Sequence, residues 1–255
     1  MAGCALARPA IFQHQLIGIS RVRNESLIIA DTVAHYLECC DRLVLYDDCS
    51  TDDTVEIARE VGGDLIEIIR GDEWRPERTA EETRHRHILL QRARSLGATW
   101  CLCFDADERL VGTLPPLTGD GYRFRLFDGY LTPERQALYS GGDLAALPRL
   151  WGPEFRDIVI LFPVEQARYA GLDRREPILT GNPTLAPVMV KHFGKCLSIA
   201  QWEETCAYYA AHFPDPYRSK WEGRKGQAIH TQSDFGRDLF TWTELMRNDH
   251  LWCRL

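Results

Sequence analysis

Short apolar segments alternate with segments of helical periodicity along the first hundred residues of the chain. Four apolar runs have the length of strands: 16–20, 42–46, 64–69 and 100–104. Three stretches between them repeat apolar residues every three to four positions: 26–39, 51–62 and 79–96. A helix between two strands carries the chain back across a sheet, so that the strands pair in parallel. The alternation therefore predicts an α/β fold with a mainly parallel sheet flanked by helices.

The regular alternation stops after residue 104. Beyond it, loops rich in proline and glycine separate three predicted short strands, at 122–127, 158–162 and 187–190. Two helices are predicted near the end of the chain, at 199–213 and 235–246. The sequence thus predicts a regular first part and an irregular second part.

Two of the predicted helices carry capping signals at their starts. Ser50 or Thr51 is followed by acidic residues, which are favoured in the first turn of a helix. Thr79 and Glu82 have the spacing of a capping box. A chain of 255 residues fits one large α/β domain, or one domain with an appendage.

Polar clusters follow three of the four predicted strands, at 21–25, 47–50 and 105–108. The carboxyl ends of parallel strands meet at one edge of a sheet, where α/β folds bind their ligands, so we expect these clusters to gather there. The third cluster holds three carboxylates within four residues. Such carboxylates repel one another unless a cation or hydrogen-bond donors lie among them. It therefore either lies in open water or binds a positive charge.

Charge and composition narrow the classes of partner. Lys and Arg number 30 and Asp and Glu number 37, which gives 30 − 37 = −7, and this argues against nucleic acid as a main partner. No run approaches the 18 apolar residues of a membrane span, and the N-terminus lacks the apolar core of a signal peptide. The nine cysteines are odd in number and include no C-x-x-C. We expect reduced thiols in a cytoplasmic protein.

Three motifs, taken in order, resemble the N-terminal half of a family 2 glycosyltransferase of the GT-A fold. They are ISRVRNE, LVLYDDCSTDDT and FDADE, after the first, second and fourth predicted strands. Fainter similarity extends through three further segments: RHRHILLQRARSLGATW, LPRLW and VKHFGK. The resemblance implies one structural domain in which 1–109 forms the nucleotide-sugar-binding half. Residues 110–255 then form the acceptor-binding half, with C-terminal helices and a lid.

The family binds a divalent cation, and the resemblance implies Mn²⁺ or Mg²⁺ here. Such ions take one or two protein carboxylates together with phosphate oxygens. Asp107 is then the direct metal ligand, and Asp105 faces the ribose or the metal site. His192 in VKHFGK is implied to complete the metal or phosphate site. A packed histidine after an apolar strand is the alternative for His192.

The resemblance also implies a nucleotide site for a UDP-linked sugar. Asp48 is implied to accept the N3–H of uracil, and capping of the next helix is its alternative role. The remaining implied donor-binding residues lie in the first loop, in the helix at 79–96 and in a basic loop at 214–232: Arg21, Arg23, Asn24, Glu25, Arg84, Arg86 and Lys225.

Most members of the family invert configuration, with a carboxylate that deprotonates the acceptor hydroxyl. Glu176, followed by Asp173, is the implied base, because GLDRREP lies between LPRLW and VKHFGK. Arg175 stands where many members have a histidine. Glu154 and Asp157 are the alternative carboxylates for this role. The acceptor class stays open among saccharides, lipid-linked glycans and small natural products.

Other classes of protein share parts of this pattern. A nucleotidyltransferase has a similar architecture but needs a glycine-rich loop after the first strand, and ISRVRNE has no glycine. A haloacid-dehalogenase-type phosphatase also ends a strand in D-x-D, yet Arg109 stands where that class usually has Thr or Val. A non-catalytic nucleotide-sugar-binding module stays open, since no motif proves turnover.

Overall fold

The computed structural model describes residues 15–172 and 175–255. Its strands are β1 (Leu16–Val22), β2 (Arg42–Asp47), β3 (Ile66–Arg70), β4 (Trp100–Cys103), β5 (Glu108–Val111), β6 (Tyr122–Tyr130), β7 (Leu150–Pro163), β8 (Ala167–Arg168), β9 (Ile178–Leu179), β10 (Thr184–His192), β11 (Phe240–Thr241) and β12 (Cys253–Arg254). Its helices are α1 (Ile29–Leu37), α2 (Thr54–Gly62), α3 (Arg78–Ser95), α4 (Ile199–His212), α5 (Tyr217–Glu222) and α6 (Trp242–Arg247). The predicted α/β class, with a large, mostly parallel sheet flanked by helices, is confirmed.

The first four strands lie in the order β3-β2-β1-β4, and their three pairings are parallel. The register aligns Ile19 of β1 with Val44 of β2 and with Cys103 of β4. The chain moves outward from β1 to β3 on one side and then crosses to β4 on the other. In doubly wound sheets, such a reversal of strand order opens a crevice outside the carboxyl ends of the strands, and ligands bind there.

Both faces of β1 are covered by helices. Ile19 shares one buried cluster with Leu89 of α3. Because side chains alternate along a strand, Gly18 faces the opposite side. There the ring of Tyr36 in α1 stacks on Phe104, with centroids 3.6 Å apart. Burial on both faces explains why these strands are nearly continuous apolar runs in the sequence.

The strands of the second part are longer than the sequence predicts. The predicted runs at 122–127, 158–162 and 187–190 are pieces of β6, β7 and β10, which hold 9, 14 and 9 residues. Gly152 and Pro153 lie inside β7. Proline has no N–H for a sheet ladder and glycine weakens a strand, so this pair favoured a loop in the sequence.

Three helix predictions also need correction. The helix α3 begins at Arg78 without a side-chain cap, so the capping box predicted at Thr79 is wrong. The N-cap of α2 is Asp53, not Ser50 or Thr51. The predicted helix at 235–246 is shorter in the structure and consists of α6 alone. Before α6 the chain forms a turn, in which the main-chain N–H groups of Phe235 and Arg237 donate to Ser233 Oγ. The helix predicted at 199–213 is confirmed as α4.

The chain divides into two compact units. The first unit comprises the described residues up to Ala106, with Leu110–Phe124 and Ile158–Met189. The second unit comprises Asp107–Arg109, Arg125–Asp157 and Val190–Leu255. The parallel strands β1 to β4 and helices α1 to α3 belong to the first unit, whereas α4, α5 and α6 belong to the second. Among the described helices, none is long and apolar enough to cross a membrane.

We predict that Gly18→Ala destabilises the first unit. A Cβ atom at this position would lie 2.5 Å from Cδ2 of Leu43 and 3.1 Å from Sγ of Cys40. Both neighbours are buried and have little room to move. Overpacking of this kind costs about 1–3 kcal/mol, which urea unfolding monitored by circular dichroism would measure.

The matched control for this test is Gly223→Ala, where the nearest atoms would lie 3.5 and 3.7 Å away. We expect the free energy of unfolding of this variant to stay within about 0.5 kcal/mol of the wild type. Equal stability of the two variants would contradict the tight packing assigned to β1.

Candidate functional site

Arginines and carboxylates form a continuous network in the first unit, around the carboxyl ends of β1, β2 and β4. The members of this arginine network are Arg21, Arg23, Arg78, Arg84, Arg86 and Arg175, with Asp48, Glu81, Glu82, Asp105 and the buried His85. Six arginines against four carboxylates leave two positive charges in excess, although the whole chain carries −7. A local excess of this sign attracts an anionic ligand.

Asp48 is at the centre of the arginine network. Its side chain is only 2% exposed, and Arg21 Nη1 lies 3.0 Å from its Oδ2. The guanidinium of Arg78 donates to the same oxygen, and Arg23 donates to the main-chain carbonyl of Asp48 at 2.6 Å. The N-cap position of α2 is Asp53, and the carboxylate of Asp48 is paired with arginines instead of capping that helix. Its predicted contact with uracil stays a prediction.

Asp105 follows β4 and forms ion pairs through both of its oxygens. Arg86 Nη2 lies 3.2 Å from Oδ1, and Arg175 Nε lies 3.0 Å from Oδ2. Burial alone would lower the pKa of Arg86, but the charge of Asp105 raises it above its ordinary value. Arg84 turns to a different partner, Glu81, with an N–O distance of 2.5 Å. The two arginines of α3 that the sequence singled out therefore serve different carboxylates.

The loops after β1 and β2 are tied together by hydrogen bonds. The main-chain N–H of Asn24 donates to Ser50 Oγ at 2.9 Å, and the Asn24 side chain accepts from the N–H of Thr51 at 2.8 Å. Asn24 has φ 53° and Cys49 has φ 58°, which are uncommon values for residues other than glycine. Backbone strain of this type is found most often at ligand sites.

His85 is neutral in the folded chain. Its ring stacks on Tyr46 with centroids 3.9 Å apart, and Arg84 Nη2 lies 3.0 Å from its Nε2. Nε2 also lies 3.3 Å from Oε2 of Glu81, and Nδ1 lies 4.0 Å from Oδ1 of Asp48. Burial, helped by the positive charges of Arg21 and Arg84, lowers the pKa of His85 from 6.5 to about 3.

Asp107 and His192 lie together in the second unit. Oδ2 of Asp107 is 3.3 Å from Nε2 of His192, and about a fifth of each side chain is exposed. The N–H of Phe193 donates to the carbonyl of Asp107 at 2.8 Å, which joins the two segments. A Cβ on Gly194 would lie 2.5 Å from the Asp107 oxygen and 2.9 Å from the His192 nitrogen. The absence of a side chain at Gly194 therefore lets both groups pack directly against the main chain.

Asp107 and His192 fit a divalent cation as a partial ligand set. Adjacent ligands of an octahedral ion with bonds of about 2.1 Å lie about 3 Å apart, close to the 3.3 Å observed. Across 15–172 and 175–255, no group of three or more His, Cys, Asp or Glu side chains is gathered for a metal. Mg²⁺ sites at phosphates commonly use only one or two protein carboxylates, with the phosphates completing the shell.

Asp128 in β6 holds the other side of the His192 ring. Its Oδ1 lies 2.6 Å from Nδ1 of His192, and its Oδ2 accepts from Lys195 Nζ at 2.8 Å. Burial lowers the pKa of His192, but the charges of Asp107 and Asp128 outweigh it and raise that pKa to about 10. Burial would raise the pKa of Asp128, and the charges of Lys195 and Arg156 instead hold it well below its usual range.

Four further predicted site residues are Glu176, Asp173, Glu25 and Lys225. Oε2 of Glu176, in the first unit, accepts from the N–H of Val159 at 2.6 Å and from Arg123 at 3.3 Å, so it is held against β7. The second candidate base, Asp173, lies outside the described residues. Glu25 precedes α1, and its carbonyl accepts the N–H groups at the start of that helix. Lys225, in the second unit, pairs with Glu222 at 2.9 Å on the surface.

Sequence reasoning missed several charged residues that organise these sites. Nothing in the pattern around Arg78 marks it as the buried partner of Asp48. Asp128 did carry a signal, because it lies in the strand-like run YRFRLFDGY, and a buried aspartate is almost always paired. Lys195 belongs to the quoted motif VKHFGK, but its buried ion pairs depend on residues that are distant in sequence.

No protein-family model matches this chain, and no curated protein matches it significantly. Solved structures of low similarity include glucosyl-3-phosphoglycerate synthase from Mycobacterium tuberculosis in complex with Mn²⁺, UDP and glucosyl-3-phosphoglycerate, which is 17% identical with a TM-score of 0.29. That match covers 49% of this chain and 50% of the other, so the chain spans about half the length of such structures. Another is 4-diphosphocytidyl-2C-methyl-D-erythritol synthase from Anaerococcus prevotii DSM 20548, 9% identical over 93% and 95% of the two chains, with a TM-score of 0.36. Scores this low define neither a family nor a function.

We predict that His85 makes the first unit sensitive to acid. The imidazole of His85 takes up a proton near pH 6.5 in the unfolded chain but only near pH 3 in the folded chain. Between these values the unfolded state binds more protons, so the free energy of unfolding falls as the pH falls. Between pH 6 and 5, the free energy of unfolding should fall by about 1 kcal/mol more in the wild type than in His85→Gln. Urea unfolding at each pH measures this difference.

The control for the acid sensitivity is His87→Gln, which alters an exposed histidine on the same helix. Its free energy of unfolding should follow the wild-type pH dependence. If His85→Gln also follows the wild type, then His85 does not stay neutral on folding.

Proposed function

We propose that the chain is a metal-dependent glycosyltransferase. It moves a sugar from a nucleoside-diphosphate donor, a UDP-linked sugar, to a hydroxyl acceptor, and the reaction inverts the configuration of the sugar. The observation that carries this proposal is the arginine network around the carboxyl ends of β1, β2 and β4. This network attracts anions although the chain has a net negative charge. It lies where the strand order of the sheet reverses, which is where α/β sheets bind ligands. The three motifs quoted above supply many of its residues.

The arginine network suits a diphosphate for chemical reasons. A guanidinium presents a planar set of donors that matches two phosphate oxygens, and it stays charged at any physiological pH. Arg86 is buried and already bound to a carboxylate, so its orientation is set before a ligand arrives. Arg23 and Arg78 lie 5.4 and 5.3 Å from the ring centre of Trp74, which also limits their movement. Preorganised charges lose little entropy on binding.

The metal site of the proposal consists of Asp107 and His192. When bound, Mn²⁺ or Mg²⁺ would act as a Lewis acid toward the leaving diphosphate. Asp105 orients Arg86 and Arg175, and Asp107 and His192 pack directly against Gly194. Glu176 stays the predicted base, and the acceptor stays open.

Turnover of a panel of nucleotide sugars tests the proposed reaction. The protein is incubated with UDP-, GDP- and CDP-linked sugars and Mn²⁺, and the released phosphates are identified by chromatography. We expect slow hydrolysis of a UDP-linked sugar to UDP in the absence of an acceptor. Release of pyrophosphate from a nucleoside triphosphate and a sugar phosphate would support a nucleotidyltransferase instead. Binding without turnover would support a non-catalytic module.

We predict that Asp107→Asn lowers Mn²⁺-dependent turnover by about 100-fold or more while the fold is kept. An amide ligates a divalent cation more weakly than a carboxylate does, and stabilisation of the leaving group by the metal contributes several kcal/mol. Turnover of the donor and a thermal melt are measured on the same preparation. The matched control is Asp53→Asn, an exposed residue of the same type in the second motif, which should keep wild-type turnover. Wild-type turnover by Asp107→Asn after chelation of the metal would show that the metal role is wrong.

A further inference from the structure

The His192 side chain is held from both sides in the second unit. Nε2 faces Asp107 at 3.3 Å, and Nδ1 faces Asp128 at 2.6 Å. A short contact of this length fixes the rotation of an imidazole ring, because the ring nitrogens can accept or donate only in the ring plane. Asp128 belongs to β6, so its position is set by a strand and not by a mobile loop.

We infer that Asp128 is a positioning residue for metal binding by His192, an inference that rests on the proposed function. A histidine binds a metal through the lone pair of one nitrogen, and its hydrogen then lies on the other. In the neutral ring with its hydrogen on Nδ1, Asp128 accepts that hydrogen at 2.6 Å, and the lone pair belongs to Nε2, which lies 3.3 Å from Oδ2 of Asp107. Carboxylates that hold ligating histidines in this way strengthen metal binding by 10–100-fold.

Two cationic side chains balance the charge of Asp128 and hold its carboxylate in place. Lys195 Nζ lies 2.8 Å from Oδ2, and Arg156 Nη2 lies 2.9 Å from Oδ1. The carboxylate is only 13% exposed, so its charge needs such partners to stay in place. Lys195 in turn pairs with Asp234 at 2.7 Å, and Asp234 pairs with Arg224 at 2.6 Å. The ion pairs therefore run continuously from the proposed metal ligand to Arg224, which follows α5; the segment 214–232, predicted as a loop, contains this helix.

An alternative is that Asp128 serves only as a partner for Lys195 in a buried ion pair. The chain offers a residue that separates the two roles. Asp234 shares Lys195 with Asp128 and is almost equally buried, with 14% of its side chain exposed. Its described ion pairs are with Lys195 and Arg224, whereas Asp128 also contacts His192. Asp234→Asn therefore removes the same charge beside Lys195 without releasing the histidine.

The test measures Mn²⁺ affinity by electron paramagnetic resonance in the presence of excess UDP, on the full chain. We expect Asp128→Asn to weaken Mn²⁺ binding by about 10–100-fold relative to the wild type. Asp234→Asn should weaken it by less than about threefold, since His192 keeps its partner. If both variants weaken binding equally, or if Asp128→Asn leaves it unchanged, the positioning role is wrong.

Two further variants keep the test decisive. In a His192→Ala background, Asp128→Asn should weaken Mn²⁺ binding by less than about threefold, because its effect passes through the missing ring. An undiminished effect in that background contradicts the inference. If Asp128→Asn does not fold, Asp128→Glu keeps the charge for Lys195 but lengthens the side chain, and it too should weaken Mn²⁺ binding measurably. Unchanged affinity in this variant counts against the inference.

Failure of the proposed function gives a different result. In that case the wild-type chain itself binds no Mn²⁺ with UDP, and the metal site falls together with the role of Asp128. If the wild type binds Mn²⁺ and only the predicted difference between Asp128→Asn and Asp234→Asn is missing, the metal site stands and the positioning role alone is wrong.

Discussion

The buried carboxylate of Asp48 imposes the main electrostatic constraint on the first unit. An ionised group taken out of water is costly unless cations and donors surround it. Arg21 and Arg78 provide those partners, and they come from β1 and from the first turn of α3. The pairing therefore links a strand, a loop and a helix at the point where the strand order reverses.

The two units carry opposite electrostatic preferences. The arginine network has an excess of positive charge, whereas His192 in the second unit lies between the carboxylates of Asp107 and Asp128. Each preference comes from side chains that are already ion-paired. The chain thus holds its charged groups in fixed orientations before any ligand binds.

Local patterns were enough to predict β1 to β4 and α1 to α3. Each of these elements has its own period in the sequence, and parallel strands buried on both faces are apolar throughout. Local patterns failed for β7, where Gly152 and Pro153 interrupt a strand that is stabilised by neighbours far along the chain. They also failed for the helix starts, since Thr79 and Glu82 have the spacing of a capping box but lie inside α3. Propensity is a weak guide where tertiary contacts compete with it.

The sequence by itself determined the class of fold and the edge of the sheet at which polar residues gather, because strand and helix periods are local and parallel strands share a direction. It also singled out Asp105, Asp107 and His192 by their motifs. Only the tertiary structure decided which charges meet: that Arg86 and Arg175 hold Asp105, and that Asp128 holds His192. These pairs join residues separated by 19, 70 and 64 positions (105 − 86, 175 − 105 and 192 − 128). Ion pairs need contact within a few ångströms, and no local period encodes contact over such separations.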